Sequence, residues 1–592
     1  MANTVKKIKT EWDLSVFYKS INDPQIEKDI VEAEKAFASF ANKYTKDKSY
    51  LKDPKKLRRA LDESEKLSDL KFGNTGNYLS KKFDLDAGNK DIPARLNLLS
   101  QRLSKIGNSV LFFHVGISKI SKSLHNKFIN DPSLLPYKYM LQKVFENAKH
   151  VLSEPEEKIL NLKSLPAHSL WTKSLKKVRD VLTVKHKGKE MPLSEAASLV
   201  ETLKTQKERI KLYDKILEKN ISVSEIAESE LNAIVLNKKI DDELRGFAES
   251  YDETLLAYED RKETVLSLVK AVNEHFYIAN KFYKIKAKML RLKKLDYADR
   301  NALVGKTNKE ITFEEGYEIL REVFGKLDNR FVEILDMFVK NGQVDVYPKI
   351  GKRGGAYSSG GYKVPTFTFL NYTNNLDSLM TFAHELGHGI HTELTKSLPS
   401  YYQNYSISTA EVASTLFENF VFHDQFEKLT DKEKIIALHD KISDDMGTIF
   451  VQIALFNFEV ELHKTIKEKG NMTKEEMAKL MSEQMKKCFG DVMNITERNG
   501  YAFVGWPHIR YFFYVYTYAM GKITSKALYK KYNEDKSYIE KIIKFMSLGG
   551  SMSPEDIFKS IGIDTRNPEF WTLGLKNIEE DVNLLEKLVN KK

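Results

Sequence analysis

The five residues His384-Glu385-Leu386-Gly387-His388 constrain this chain more than any other stretch. Two histidines four residues apart lie on one face of an α-helix, about one turn from each other, so that both can bind a single zinc ion. The pentad therefore predicts a helix that carries part of a metal site.

The residues around the pentad favour the same helix. Asp377 is its predicted N-cap, and apolar residues follow at intervals of three or four, namely Leu379, Phe382, Leu386 and Ile390. Gly387 and Gly389 each lower the helix propensity by roughly 1 kcal/mol relative to alanine. We therefore expect another part of the chain to approach the helix backbone closely at these two glycines.

A second helix, predicted to begin near Ser408-Thr409, offers a third ligand. Glu411 lies 23 residues after His388, and a carboxylate from a neighbouring helix can complete a three-ligand zinc site. Glu418 is seven residues further along the same face, where it could hold the free N–H of a ligand histidine. The alternative for Glu418 is an exposed helix carboxylate.

His391 lies seven residues after His384 and shares its helix face. A fourth protein ligand would close the position that a catalytic metal keeps open for water, so His391 is predicted to be a structural residue or a neighbour of a ligand.

Zinc lowers the pKa of a bound water to roughly 7, and Glu385 is placed to take the proton. The arrangement predicts metal-assisted hydrolysis of an amide bond.

An aromatic segment near the C-terminus could complete such a site. His508, Tyr511, Tyr514 and Tyr518 recur at helical spacing and are predicted to share a broad helix face, whereas Tyr516 is predicted to pack on the other side. Hydroxyl and imidazole donors can stabilise the oxyanion of a tetrahedral intermediate. The alternative is an aromatic core helix, because aromatic stripes are usually buried.

A glycine-rich segment precedes the pentad, between two predicted strands at Val344–Tyr347 and Val364–Leu370. It contains Gly354, Gly355, Ala356 and Tyr357. A backbone with few side chains permits the close approach of another chain, so an exposed edge here could bind an extended peptide by strand addition. The alternative is a flexible turn.

Four motifs in the same order make the chain similar to the M3 family of zinc metallopeptidases, and within it to the oligoendopeptidase F branch. They are Trp12-Asp13-Leu14-Ser15 with Phe17-Tyr18, the run Gly351–Gly360, the pentad with Ala410–Ser414, and the His/Tyr-rich segment Pro507–Ala519. The resemblance extends over nearly the whole chain. It implies a mainly α, two-lobed protein with a deep central cleft and a small β-element beside the zinc helix.

The resemblance also implies roles for individual residues. One Zn²⁺ per chain would be held by His384, His388 and Glu411, with Glu385 as the general base and a narrow channel that admits short unfolded peptides. We therefore predict a zinc-dependent endopeptidase. The alternatives are a zinc carboxypeptidase or dipeptidyl peptidase on a related helical scaffold, and a peptide-binding protein with a structural zinc.

The length of 592 residues exceeds one typical core, so two or more lobes are expected. Helical patterns dominate from Asp23 to about Leu165, from Ser194 to about Leu290, and again after Leu376, while Val181–Pro192 is typical of a short hairpin. We place an N-terminal helical lobe at residues 1–190 and the catalytic region at residues 191–592.

The net charge of +11 arises from 94 basic and 83 acidic residues that are interspersed along the helices, which argues against a nucleic-acid partner. The single Cys488 excludes an intrachain disulfide and is compatible with a reducing cytosol. Residues Met1–Lys9 are polar with no apolar stretch after them, and no uncharged apolar run reaches transmembrane length. A cytoplasmic location without a membrane partner is predicted.

Overall fold

The computed structural model describes residues 8–307 and 309–591, and these residues are mainly α-helical, which confirms the predicted fold class. Most of the polar start of the chain, residues 1–7, lies outside the described residues. Within the described ranges, no helix is both long enough and apolar enough to cross a membrane.

Several N-terminal helices begin with an aspartate followed by a proline. Asp23 accepts a hydrogen bond from the N–H of Gln25, and Pro24 occupies the first helical position, where a missing N–H costs nothing. The helices of this part are α1 Pro24–Lys46, α2 Pro54–Leu67, α3 Phe72–Leu85, α4 Asp91–Ser118, α5 Lys122–Ile129, α6 Lys138–Asn147, α7 Glu154–Ser164 and α8 Leu170–Asp180.

The predicted hairpin is confirmed as strands β1 (Thr183–His186) and β2 (Lys189–Pro192), which pair antiparallel. Its two turn residues, Lys187 with φ 48° and Gly188 with φ 86°, are both left-handed, as a type I′ turn requires. The elements that follow are α9 Leu193–Thr202, α10 Gln206–Ser222, α11 Ser224–Arg245, α12 Asp252–Ala257, α13 Lys262–Glu274, α14 Phe276–Met289, β3 Leu295–Asp296, α15 Phe313–Leu327 and α16 Asn329–Asn341.

A three-stranded sheet comes next, in the order β4-β6-β5, with β4 parallel and β5 antiparallel to the central strand. Strands β4 (Val344–Asp345) and β6 (Val364–Phe369) match the two predicted strands. The structure adds β5 (Tyr357–Gly361) inside the glycine-rich segment, at one edge of the sheet.

The C-terminal part is helical apart from one short strand that pairs parallel with β3. Its elements are α17 Leu376–Thr395, α18 Ser400–Gln403, α19 Ile407–Glu427, α20 Asp431–Asp445, α21 Gln452–Lys469, α22 Lys474–Phe489, β7 Met493–Asn494, α23 Glu497–Gly500, α24 Tyr516–Glu534, α25 Ile539–Ser547, α26 Pro554–Ser560 and α27 Pro568–Asn590.

The buried apolar side chains form three clusters. One lies among the N-terminal helices between Phe40 and Phe145, and a second joins Trp12 to Leu99 with two phenylalanines of β6. The third begins at Leu175, continues to the C-terminal helix α27, and surrounds α17 and α19. One cluster thus ends at residue 145 and the next begins at residue 175, before the predicted lobe boundary at residue 190. The boundary itself stays a prediction.

Helices α17 and α19 pack with their backbones in contact. A Cβ atom added at Gly387 would lie 2.5 Å from the Cα of Ser414 and 3.0 Å from the carbonyl oxygen of Ala413. At Gly389 it would lie 2.6 Å from the ring of Phe338. The close approach expected at both glycines is confirmed.

Candidate metal centre and catalytic groups

Helix α17 presents the pentad from a capped N-terminus. The cap is Asn375, whose side-chain oxygen accepts a hydrogen bond of 2.9 Å from the N–H of Ser378. The prediction of Asp377 as N-cap is therefore wrong by two residues; Asp377 lies in the first turn, where a carboxylate favours the helix dipole. Helix α19 begins at Ile407 behind the cap residue Ser406 and carries Glu411.

The two histidines and Glu411 meet where α17 packs on α19. The Nε2 atoms of His384 and His388 lie 3.4 Å and 3.8 Å from the same carboxylate oxygen of Glu411. One donor atom from each of the three residues lies within 4.8 Å of the other two. Donor atoms around a tetrahedral zinc ion are about 3.3 Å apart when each bond is about 2.0 Å long. The three donors therefore fit one zinc ion with small movements.

Glu418 lies behind the first histidine. Its Oε2 is 3.2 Å from Nδ1 of His384 and can accept that nitrogen's proton, which leaves Nε2 free to bind a metal. Burial would raise the pKa of Glu418, but Lys522 and His384 outweigh it and lower the pKa to about 2. Lys522 lies with its Nζ 3.8 Å from Glu418, and this contact was not predicted from the sequence. Lys522 is four residues after Tyr518 on α24, and this spacing could have indicated that both side chains face the site.

Glu385 is only 7% exposed, and its Oε2 has no hydrogen-bond partner among the described residues. Burial raises the pKa of Glu385 to about 7, with the positive charge of His384 opposing the shift and the negative charge of Glu411 adding to it. A carboxylate of this kind can exchange a proton with water near neutral pH.

His391 lies apart from the three donor residues. Its ring stacks on that of Tyr405 at a centroid distance of 3.7 Å, and burial lowers its pKa to about 3. This neutral, buried imidazole packs α17 against Tyr405, and it is not among the three residues that bring donor atoms together.

The predicted helix from His508 to Tyr518 is wrong. Residues His508–Arg510 form a single 3-10 turn, and α24 begins only at Tyr516. Between them, Phe512 and Phe513 have φ angles of 51° and 60°. Non-glycine residues seldom adopt this left-handed region, and two in succession break the helical ladder.

Three of the four predicted side chains of this segment nevertheless meet. The hydroxyl of Tyr514 is hydrogen-bonded to Nδ1 of His508. The ring of Tyr518 lies 5.7 Å from the ring of Tyr514 and 5.8 Å from that of His508. Tyr518 also lines a cavity of about 440 Å³ together with His384 and Glu411.

The other two tyrosines of the segment have different surroundings. Tyr511 is 61% exposed, and its ring lies beside that of His168, outside the group formed by the other three side chains. Tyr516 is fully buried and donates a 2.6 Å hydrogen bond to Asp260, in agreement with the packing prediction.

A second cavity, of about 320 Å³, borders the metal centre on the side of β5. It is lined by Ala356, Tyr357, Ser358, His384, Glu385, His388, Tyr405 and Glu411. Gly354 and Gly355 lie in the loop before β5, so two of the four residues predicted there line this cavity.

The side chain of Tyr357 is fixed by two contacts. Its ring stacks on Phe369 at 5.2 Å, and its hydroxyl donates a 2.6 Å hydrogen bond to Asp84. These contacts hold the Tyr357 ring in place beside the cavity that Tyr357 helps to line.

Comparison with known proteins gives a consistent result. One family model, described as Peptidase family M3, matches residues 199–576, and another, described as Oligopeptidase F, matches residues 117–174. Oligopeptidase PepF of Bacillus subtilis is 27% identical over 546 residues, which cover 90% of this chain and 81% of that protein. An oligoendopeptidase F homolog of Borreliella burgdorferi is 27% identical, with 94% of each chain covered. A crystal structure from Chlamydophila abortus has a TM-score of 0.84 at 23% identity, covers 98% of this chain and 100% of its own, and shows the shared fold.

Proposed function

Because this chain belongs to peptidase family M3 and is a metalloendopeptidase, we propose that it uses one zinc ion to hydrolyse internal bonds of short, unfolded peptides. The observation that carries the proposal is the meeting of His384, His388 and Glu411 around one ion-sized space, with Glu385 beside the first histidine. The names of the relatives, an oligopeptidase and an oligoendopeptidase F homolog, support the choice of peptides as substrates.

Zinc, when bound, supplies a Lewis acid that polarises the scissile carbonyl and makes water acidic enough to react near neutral pH. The protein's task is to hold the ion and leave one position open. With zinc bound, His384 and His388 would each offer a neutral nitrogen, and Glu411 would offer one negative charge. Glu418 would accept the Nδ1 proton of His384 and so leave Nε2 free to bind the metal.

Glu385 is the proposed general base. Its unpartnered Oε2 can accept the proton of the attacking water and then deliver it to the leaving amine. Burial supports this role because it raises the pKa of Glu385 to about 7, where both protonation states are accessible at neutral pH.

His508 and Tyr518 are the proposed donors to the oxyanion, and Tyr514 is proposed to orient His508. The Tyr514 hydroxyl donates its one proton to Nδ1 of His508, which leaves the Nε2–H of His508 to donate to the substrate. Tyr518 lines the cavity that contains His384 and Glu411, so its hydroxyl is the first donor that we assign to the oxyanion. Tyr511, exposed beside His168, is not part of this proposal.

The peptide itself is proposed to lie along β5. This strand is an edge of its sheet, and its residues Tyr357 and Ser358, with Ala356 just before it, line the cavity that holds Glu385. Hydrogen bonds between strand and peptide backbones do not depend on peptide sequence, which suits an enzyme of broad sequence tolerance.

We also propose that the enzyme works in the cytoplasm, in peptide turnover. The single Cys488, which cannot form an intrachain disulfide, is compatible with this location.

The test is cleavage of a quenched fluorescent peptide whose two ends are blocked, with products mapped by mass spectrometry and zinc measured per chain. Glu385→Gln should abolish turnover and keep about one zinc per chain, because the variant removes the base and no ligand. Glu393→Gln is the matched control, since Glu393 is on the same helix and pairs with Lys396.

Three results would change the conclusion. Cleavage only of peptides with a free end would indicate a carboxypeptidase or dipeptidyl peptidase. Wild-type rates in Glu385→Gln would remove the general base from the mechanism. Zinc-loaded protein that binds peptide without cutting it would indicate a binding protein with structural zinc.

A further inference from the structure

The loop from His508 to Tyr516 holds an unfavourable backbone conformation. Phe512 and Phe513 both have left-handed φ angles, and neither is a glycine. Each such residue costs free energy and persists only when its surroundings hold it in place. The next residue, Tyr514, makes the hydrogen bond to His508, so the two strained residues set the position of the side chain that is proposed to orient His508.

A buried carboxyl group holds the second of these residues. The backbone N–H of Phe513 donates a 2.8 Å hydrogen bond to Oε1 of Glu459 on α21. Phe513 is fully buried, and its ring lies 4.6 Å from that of His463, one turn beyond Glu459. On the other side, the hydroxyl of Thr254 donates a 3.1 Å hydrogen bond to the carbonyl oxygen of Phe512.

Burying the carboxyl group of Glu459 at this position is energetically unfavourable. It is fully buried, and its Oε2 has no hydrogen-bond partner among the described residues. Neighbouring positions of α21, such as Phe456, Phe458 and Leu462, are apolar and would suit a purely packed helix. A buried carboxyl that makes a single hydrogen bond destabilises the core, and that bond goes to the strained residue before Tyr514.

Two further carboxyl groups, on the buried Glu230 and the partly buried Asp260, hold the ends of the same loop. Arg510 forms a bidentate ion pair with Glu230, at 2.8 Å for the shortest contact. Tyr516 donates to Asp260, which also accepts from Ser408 at the start of the helix that carries Glu411. With both ends fixed in this way, the middle of the loop depends on Glu459 and Thr254.

We propose that Glu459 is a positioning residue for the peptidase reaction: by accepting the Phe513 N–H it keeps the left-handed pair in place, so that Tyr514 stays on His508. The proposal rests on the function given above. Glu459 acts through the loop and not on the substrate. Without its acceptor oxygen, Phe513 can relax to a negative φ, and the direction of the chain into Tyr514 changes.

The test compares Glu459→Gln, which keeps an acceptor oxygen, with Glu459→Met, which removes it at similar volume. We expect Glu459→Met to lower kcat at least about tenfold and to change KM less than about threefold. The reason is that the loop positions Tyr514 and His508, which together are proposed to stabilise the transition state and not the bound substrate. Zinc content should stay near one per chain. Glu459→Gln should restore most of kcat, and amide hydrogen exchange across residues 508–516 should be faster only in the methionine variant.

A purely structural role predicts other results. If both variants lose kcat equally, or if Glu459→Met keeps the wild-type kcat and exchange rates, the proposal is wrong. Tyr514→Phe in the Glu459→Met background should cost no more than the worse single variant, since both act at one position; additive losses would overturn the proposal.

If Glu459→Met does not fold, Thr254→Val applies the same test more gently, because it removes only the hydrogen bond to the Phe512 carbonyl. We expect a smaller loss of kcat that is again non-additive with Tyr514→Phe, and additivity would overturn the proposal. A wild-type protein that cuts no peptide contradicts the proposed function, whereas an active wild type with an unaffected Glu459→Met contradicts only the role of Glu459.

Discussion

The contact between Gly387 and helix α19 can be tested with one added methyl group. In Gly387→Ala the new Cβ would lie 2.5 Å from the Cα of Ser414. Carbon atoms that are not bonded approach to about 3.5–4.0 Å, so α19 must retreat by about 1 Å at this point. Overpacking of this kind costs about 1–3 kcal/mol, of which the higher helix propensity of alanine offsets about 1 kcal/mol.

The larger effect is expected on the metal. Glu411 lies one turn before Ser414 on the same helix and moves with it. Metal-ligand bonds keep their lengths to within about 0.2 Å, so a retreat of about 1 Å takes the carboxylate out of bonding distance. We expect zinc affinity to fall by about 10–100-fold, comparable to the loss of a residue that orients a ligand.

The assay is zinc competition with a chelator, together with Tm with and without zinc. Gly107→Ala is the matched control, because Gly107 lies inside helix α4 and a Cβ there would meet no atom within 4 Å. The control should keep its zinc affinity, and its Tm should stay the same or rise, because alanine favours the helix by about 1 kcal/mol. If Gly387→Ala binds zinc as tightly as the control, the argument from backbone contact to metal binding is refuted.

Three further outcomes are expected. Glu418→Gln should weaken zinc binding about 10–100-fold in the same competition assay, because His384 loses its charged acceptor. An unchanged affinity would show that Glu418 does not orient His384 for metal binding. Tyr518→Phe should lower kcat more than it changes KM, whereas Tyr511→Phe should change neither, and equal effects would contradict the placement of the two rings. Burial raises the pKa of Glu459 from 4.5 to about 8, so between these values the folded protein holds a proton that the unfolded chain releases. Wild-type stability in chemical denaturation should therefore fall, relative to Glu459→Gln, by up to about 1.4 kcal/mol per pH unit from pH 5 to 8; parallel curves would contradict the shift.

The metal centre could be predicted because its geometry is encoded in local spacing. His384 and His388 are four positions apart, which is about one helical turn, and the two unfavourable glycines indicate close neighbours. At Gly387 the neighbour is α19, which carries Glu411, and at Gly389 it is Phe338. Once both helices form, the three candidate ligands follow from sequence spacing and one helix contact.

The aromatic segment could not be predicted in the same way. His508, Tyr514 and Tyr518 have helical spacing, but they lie on a 3-10 turn, a bend and the start of α24. The bend depends on Phe512 and Phe513, and phenylalanine has no intrinsic preference for their left-handed conformation. The carboxyl group of Glu459, more than fifty positions away, holds Phe513 in place. Side chains can thus meet as predicted even where the predicted conformation of the backbone between them is wrong.

The edge strand β5 escaped prediction for a different reason. Its sequence, Tyr-Ser-Ser-Gly-Gly, contains glycines and serines that have low strand propensity. It becomes a strand because β6 offers it a hydrogen-bonding edge. Pairing between distant segments is a tertiary effect, and sequence periodicity carries no record of it.

The sheet beside the metal centre is tied to the beginning of the chain. Trp12 donates its ring N–H to the carbonyl oxygen of Thr368 at 2.9 Å, and its backbone N–H bonds to Asp345 at 3.2 Å. These bonds join residues more than 330 positions apart, so forming them closes a long loop and costs conformational entropy. The sheet that contains the edge proposed to bind peptides therefore depends on residues near the start of the sequence, far along the chain from the metal site.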